Sequence, residues 1–400
     1  MLLPLASVGW QADARARRLA LVPCDGFFCK DGRDWHTSAS GRGHGLDWPW
    51  PSTILGALRS VWGRSEESRS GALFGPGDSR TRTATIRLGR TLVVRRPHAA
   101  AWSAEHATWP VPLDAVWLEG RFEVHRLDPV PASEPTLGRD DDEIREVLMR
   151  PTFEDAEKPL EPLRWWSHAD FSAWLVGRSV SVRGHDGALA MARRLQVHVG
   201  IRPEELTAGG GVLFSHDVVE TLDSCAEWAI GVEVVLPDSE VSAVATLGSD
   251  ARLARVEPLP DVIFEPPAGL LEAFRASSQG LRVIAVTPIC FARGWLPDGL
   301  DQQGGRYRGR LTGIDQELIL RAAFVARPVH VSGWDMAAGA PKPTSRMVAP
   351  GAVYFFERTD GKPFVEADAR SLWLAALGSR TEEGFGRVVA GVWRPSRASQ

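Results

Sequence analysis

Apolar and polar residues alternate along several long runs of this chain, and in one place they repeat at helical spacing. Residues 17–29, "RRLALVPCDGFFC", predict a buried first strand. In the stretch that follows "WPWP", Ile54, Leu55, Leu58, Val61 and Trp62 recur every three or four positions and mark the core-facing stripe of a helix. Its opposite side carries Ser52, Gly56, Arg59 and Gly63, a strip almost without side-chain bulk. An interior Gly costs a helix about 1 kcal/mol against Ala, so something is expected to approach the backbone there. Ser52 is the expected N-cap.

Further along, "TATIRLGRTLVVRR" alternates like paired strands and "VWLEGRFEVHRL" predicts another strand, while "HADFSAWLVG" and "HDGALAMARRLQ" predict helices. Strand-like segments dominate afterwards: "GVLFSHDVVETL", "WAIGVEVVLP", "ARLARVEPL", "LRVIAVTPICF" and "GAVYFFE". A helix, "ARSLWLAALG", then precedes a Gly-bearing turn and a last strand, "RVVAGVW". Each half supplies several strands and roughly two helices, the inventory of an α+β fold with helices on one sheet face. The change of pattern sets an expected boundary near residue 200, giving domains 1–200 and 201–400. Residues 131–163 are acidic and Pro-bearing and are expected to form an excursion, either a solvated loop or a docking surface for a basic partner.

The chain's 400 residues exceed one ordinary core, and its 44% hydrophobic and 24% charged residues describe a folded globular protein. A net charge of −4 argues against coating nucleic acid over the whole surface but allows a local basic groove. Sixteen Trp stand against two Tyr; such side chains suit cores, interfaces and base stacking alike. Cys24, Cys29, Cys225 and Cys290 have no zinc spacing and are expected to be buried reduced thiols of a cytoplasmic protein, with Cys24 and Cys29 on opposite faces of a strand. No apolar run approaches the roughly 20 residues of a membrane span, and the residues before 17 predict a frayed extension rather than a signal peptide.

Three stretches carry candidate chemistry. Ser52 and Thr53 sit where a helix presents unpaired N–H groups, and bare Gly56 beside Arg59 would let a sugar-phosphate chain, or another protein element, lie against the helix. In residues 377–393, "LGSRTEEGFGRVVAGVW", Gly378, Gly384 and Gly386 allow a tight turn flanked by Arg380 and Arg387. It lacks the Gly-Lys-Ser/Thr ending of a Walker A loop, and a plain hairpin turn explains it equally well. Arg306, Arg308 and Arg310 alternate on one strand face, able to track phosphates or to guard an edge strand. The ten His form no catalytic motif; His36 and His44, in the loop before the helix, are the places where a general base for RNA cleavage could sit. Asp140, Asp141 and Asp142 lack EF-hand spacing.

Taken together, these segments resemble the family of third subunits of the Cmr complex, the type III-B CRISPR effector, within the repeat-associated RNA-binding (RAMP) superfamily. "LVPCDGFFCKDGRDW" is similar to the family's opening strand, with Asp25, Phe28, Asp31, Gly32 and Arg33 in place, followed by "PSTILGALR". "HVGIRPEELTAGGGVLFS" and "LGSDARLARVE" resemble central segments; "GWLPDGL", "VSGWDMAAGAPKPTSRMVAPGAVYFFE" and "GFGRVVAGVW" complete the likeness. Cys24 and Cys29 depart from the family's usual residues at those places. The resemblance implies two fused ferredoxin-like units, no cofactor or metal, and a non-catalytic subunit. That subunit would hold the 5′ tag of the CRISPR RNA and contact the large polymerase-like subunit and the first backbone RAMP subunit. By motif position it implies RNA contacts from Lys30, Arg33, Ser52, Thr53, Gly56, Arg59, Lys342, Arg346, Arg380 and Arg387, with Gly378, Gly384 and Gly386 shaping the loop. Two other readings stay open: a RAMP endoribonuclease using His36 or His44, and a protein-only scaffold.

Overall fold

Ala16–Pro23 forms β1, where alternate residues face opposite sides and Pro23 ends the ladder. The computed structural model describes residues 16–30, 42–71, 83, 85–130, 137–138, 145–146, 148, 150–151, 158–160, 164–181, 191–223, 225–236, 242–335 and 338–395. Helix α1 (Pro51–Ser70) follows. Then come β2 (Arg87–Pro97), β3 (Ala107–Pro110), β4 (Trp165–Ser167) and α2 (His168–Leu175). A long hairpin, β5 (Arg193–Arg202) and β6 (Thr207–Val219), precedes β7 (Ala226–Val235), β8 (Val244–Leu247) and β9 (Arg252–Pro258).

The second half opens with α3 (Ala268–Arg275), β10 (Gly280–Ala285), β11 (Leu300–Gln303), β12 (Arg306–Gly309) and β13 (Leu318–Phe324). It continues through β14 (Val329–Val331), β15 (Ser345–Met347) and β16 (Val353–Arg358), and closes with α4 (Glu366–Leu372), β17 (Ala375–Ala376) and β18 (Arg387–Trp393).

Two seven-stranded sheets organise the protein, in the orders β4-β3-β2-β7-β1-β9-β8 and β11-β12-β13-β16-β10-β18-β17. The four central strands of each are antiparallel and follow the same pattern: second, third, first, fourth in chain order. This is an α+β arrangement. The first sheet draws on strands as far as Pro258 and the second begins at Gly280, so the change of sheet falls well beyond residue 200. Residue 200 lies inside β5, at an irregularity in its pairing with β6 between Val199 and Ile201.

Core side chains show how the layers stack. Leu21, Ile230 and Val232 meet the α1 stripe of Ile54, Leu55, Leu58, Val61 and Trp62, all buried. Their strand neighbours Ala20, Val22, Leu92, Val94 and Ala229 point the other way, into a cluster that continues through Trp109, Trp174 and Phe274 to Leu281 and Val388 of the second sheet. One apolar layer therefore joins the two sheets, with α2 packed against both β3 and β18.

Several expectations are corrected. Residues 87–97 form one strand rather than a pair, because Gly89 and Arg90 sit at a bulge where the pairing slips opposite Glu233, between Val232 and Val234. "VWLEGRFEVHRL" supplies only two short ladder segments, Ala115–Val116 and His125–Arg126. Of "HDGALAMARRLQ", residues 193–196 belong to β5, not to a helix, since Leu195, Val197, Val199 and Ile201 alternate and the segment pairs with β6; residues 185–190 lie outside the described residues. The acidic stretch 131–163, with Asp140, Asp141 and Asp142, lies largely outside them too. None of the four cysteines forms a disulfide, but only Cys29 is buried, and burial pushes its thiol up to about 12; Cys24 and Cys225 are exposed. Among the described residues no helix is long and apolar enough to cross a membrane.

A buried ion pair crosses between the sheets. Asp114, fully buried, accepts from Arg282 Nη1 at 2.6 Å and from Trp174 Nε1 at 2.8 Å. Arg282 also donates to the Val392 carbonyl at 2.9 Å and to the Trp174 and Leu175 carbonyls at the end of α2. Arg126 lies over the Trp174 ring at 3.5 Å, and burial, with the repulsion of Arg282, pulls its pKa down to about 9. Removing one partner of such a pair strands the other charge in the core. Asp114→Ala is therefore expected to cost about 3–5 kcal/mol in urea unfolding. Arg370→Ala, which breaks a half-exposed helix pair with Glu366, should leave the urea midpoint almost unchanged.

Candidate nucleic-acid interface

The approach to α1 differs from its expected capping. Trp50, not Ser52, is the N-cap, with φ −62° and ψ 148° and no side-chain cap. Pro51 takes the first helical position, where its missing N–H costs nothing and its ring presets φ. The Trp50 carbonyl accepts from Thr53 N at 2.9 Å and Ile54 N at 3.2 Å. Ser52 and Thr53 are half-buried in a first turn that holds no acidic residue, so the helix itself supplies no carboxylate against the positive end of its dipole.

The glycine-rich loop of the second half reaches this same helix start. Leu88 N donates to the Glu382 carbonyl at 2.9 Å, which ties the loop to β2. Gly384 has φ +92°, and a Cβ there would lie 2.7 Å from Leu88 Cδ2 and 3.1 Å from Pro51 Cβ. Gly378, at φ +80°, would meet the Cys290 carbonyl at 2.5 Å, and Gly386 would collide with the Leu377 carbonyl. The close approach that these glycines allow is therefore largely to the protein's own chain.

The predicted cations divide into two groups. Arg387 is only 3% exposed; it donates to the Thr381 carbonyl at 2.9 Å and the Leu374 carbonyl at 3.4 Å, and burial pulls its pKa down to about 10. It braces the loop from within, and a phosphate cannot reach it in this conformation. Arg380 holds φ +60° and makes a two-pronged ion pair with Glu383 at 2.7 and 2.8 Å, a bond to Ser345 Oγ at 3.2 Å and a stack over Phe385. Arg59 donates to the Ile86 carbonyl at 3.2 Å; burial lowers its pKa while Glu383 and Glu382 oppose that shift.

Lys342 and Arg346 form the second group. Arg346 is exposed on β15, Lys342 is half-buried, and neither pairs with a carboxylate among the described residues. The β14–β15 ladder packs through Val331 and Met347 onto Phe385 of the glycine loop and onto Trp50. The structure thus brings Ser52, Thr53, Arg59, the glycine loop, Arg380 and the β14–β15 segment together. Lys30, half-buried, bridges to Gly45, and Arg33 lies outside the described residues. Gly56 is exposed with nothing within 4 Å of its missing Cβ. His44 is exposed and His36 is not among the described residues. Arg306 and Arg310 are exposed and Arg308 half-buried around β12, one strand in from the sheet edge.

Beside this junction opens a cleft of about 900 Å³ lined by Trp48, Trp50, Trp117, Arg164, Trp165 and His330. Trp48 and Trp165 meet edge to face with centroids 5.9 Å apart. Arg164 and Arg193 both pair with Asp47 on the segment that leads into α1. Sequence reasoning reached the helix but not this cleft. Its one local trace was the alternation of Trp and Pro in "WPWP", which forbids helix until Pro51 and leaves Trp48 and Trp50 half-buried.

The two glycine environments separate in stability. Gly384→Ala combines a left-handed backbone with a contact to Leu88 and is expected to cost about 1–3 kcal/mol. Gly56→Ala, in open space on a helix, should instead add up to about 1 kcal/mol. Thermal unfolding of the two variants beside the wild type checks the contrast.

A comparison with curated proteins finds no match. Among solved structures, one chain titled "Cryo-EM structure of the Type III-B Cmr-beta bound to cognate target RNA and AMPPnP, state 1" is similar at 12% identity and TM-score 0.45, covering 85% of this chain and 86% of that one. Another, "Cryo-EM structure of the Type III-B Cmr-beta bound to cognate target RNA", is similar at 11% identity and TM-score 0.42, covering 86% and 87%. A family model described as "CRISPR-associated protein (Cas_Cmr3)" matches residues 19–393. With nearly all of its length inside that match, the chain belongs to the Cas_Cmr3 family of CRISPR-associated proteins.

Proposed function

We propose that this chain is a non-catalytic structural subunit that holds the repeat-derived 5′ tag of a CRISPR RNA and links the large polymerase-like subunit to a backbone RAMP subunit. The observation that carries this reading is the junction of three elements on one side of the Trp-lined cleft: the acid-free first turn of α1, the glycine loop and the β14–β15 ladder. A helix start favours phosphate, the uncommitted cations Lys342 and Arg346 add charge, and flat Trp faces suit unpaired bases. The shared strand order of the two sheets supports two ferredoxin-like RAMP units. A helix follows the first central strand of one sheet, α1, and the third central strand of the other, α4. Gly56, Ser52 and Thr53 are the proposed places of backbone approach, while Arg380 and Arg387 act on the RNA only through the loop they brace and Arg59 only through the Ile86 carbonyl it holds.

The test uses the assembled particle with tagged guide RNA. Lys342→Ala with Arg346→Ala should weaken tag retention and flatten the slope of log K against log salt by about 1.4, for two single-strand phosphate contacts. An unchanged slope refutes the residue assignment. Crosslinks from the tag to residues 342–346 and to Trp50 are expected, and their absence refutes the tag-holding role. Metal-independent cleavage of repeat RNA, lost in His44→Ala, would replace this reading with an endoribonuclease.

A further inference from the structure

Away from that junction, three side chains converge at the base of the β5–β6 hairpin. Gln196 pairs with His216 and His198 with Phe214, so the two imidazoles are diagonal neighbours on one hairpin face. Their Nε2 atoms lie 3.3 Å apart. Asp250, in the turn before β9, places Oδ2 3.7 Å from His216 Nε2, and the three ligand atoms all fall within 4.8 Å of one another. Among the described residues no other group of His, Cys, Asp and Glu converges in this way.

The surroundings fix these groups. Phe28 stacks on His216 with centroids 4.3 Å apart and planes at 16°, and Phe214 stacks on His198 at 5.1 Å and 6°. Asp250 sits at φ 61°, ψ 20°, a left-handed conformation that Asp tolerates. Gly248, two residues earlier, lies against Phe28, where a Cβ would stand 2.6 Å from the carbonyl oxygen. The nearby cation Arg252 is already engaged by Asp25 at 2.8 Å, the Gly26 carbonyl at 3.1 Å and Gln196.

His216 is 3% exposed, and among the described residues its Nδ1 is buried with no hydrogen-bond partner. A single N–H on His216 Nε2 could serve His198 or Asp250, but a cation serves both rings and the carboxylate together.

We propose that His198, His216 and Asp250 form a divalent-metal site of the zinc class, with a fourth position open to water or to a donor from a neighbouring molecule. Zinc–nitrogen bonds of about 2.0–2.1 Å in a tetrahedron place two nitrogens about 3.3 Å apart, which the imidazole pair matches. The Asp250 side chain is 51% exposed, so a small turn of its carboxylate closes the third bond. Two imidazoles and one carboxylate suit zinc, cobalt or nickel better than magnesium or calcium, which prefer oxygen. The ion would staple the hairpin base to the turn between β8 and β9, and so fix the direction in which β5 and β6 project from the first sheet.

The full chain, stripped with chelator, is titrated with Zn²⁺ by calorimetry and with Co²⁺ by visible absorption. One equivalent of Zn²⁺, a rise in thermal midpoint and tetrahedral Co²⁺ bands are expected. His198→Asn and Asp250→Asn should each weaken Zn²⁺ binding by at least the roughly 10–100-fold that even outer-shell changes produce. Asn keeps the left-handed turn at position 250, so that variant should retain the wild-type far-UV spectrum. No saturable binding, or equal binding by wild type and both variants, as the exposed thiols Cys24 and Cys225 would give, overturns the assignment.

Discussion

A buried carboxylate fixes how the two sheets meet. Asp114 has no access to water, and its charge is met by Arg282 from β10, an inner strand of the second sheet. The last carbonyls of a helix need donors, and a cation at that end also meets the dipole favourably. For α2 both needs are filled by the same guanidinium, which reaches the Trp174 and Leu175 carbonyls and the Val392 carbonyl of β18. The helix is thereby clamped between β3 and β18. Because β18 follows directly on the glycine loop, the clamp also determines where that loop meets Pro51 and Leu88 of the first half.

The loop is built to be stiff rather than charged. Arg387 holds it through the Leu374 and Thr381 carbonyls, and Thr287 Oγ1 both accepts from Arg387 N at 2.9 Å and donates to the Gly384 carbonyl at 3.2 Å. Arg380 is neutralised by Glu383, and Arg59 lies in the field of Glu382 and Glu383. The guanidiniums closest to the glycines thus contribute shape, not free charge. Under the proposed function, direct phosphate attraction falls to the helix start and to Lys342 and Arg346. A surface with so few uncommitted cations holds RNA weakly by itself, which suits a groove that neighbouring subunits complete.

Much of the fold was legible because burial writes a period into the chain. The α1 stripe keeps helical spacing, and the strands at 226–235, 280–285, 353–358 and 387–393 stand out as nearly continuous buried runs. What failed had two periods or a context-dependent cause. Residues 193–196 begin a strand whose pairing partner lies beyond a turn, and their Arg-Arg-Leu-Gln start fits a helix equally well until Val197 and Val199 extend the alternation. The bulge at Gly89 splits a continuous strand into what reads as two. At the candidate site, sequence located the glycines and arginines but not their partners: nothing near Arg387 in the chain announces that the Leu374 and Thr381 carbonyls will take its guanidinium. The Trp-lined cleft was invisible because its walls come from segments near residues 48, 110, 165 and 330.

The bare side of α1 has two different causes. At its start, compactness serves the chain itself: Gly384 packs where Pro51 and Leu88 leave no room for a methyl group. One turn further on, no such neighbour exists. Gly56 faces open space, and a helix that keeps Gly there gives up about 1 kcal/mol that Ala would supply. The protein's own packing explains the first glycine and leaves the second unexplained. Within the proposed assembly the cost at Gly56 is offset only if a partner's backbone, ribose-phosphate or polypeptide, comes to rest against it, which makes that exposed position the place where the isolated chain is structurally incomplete.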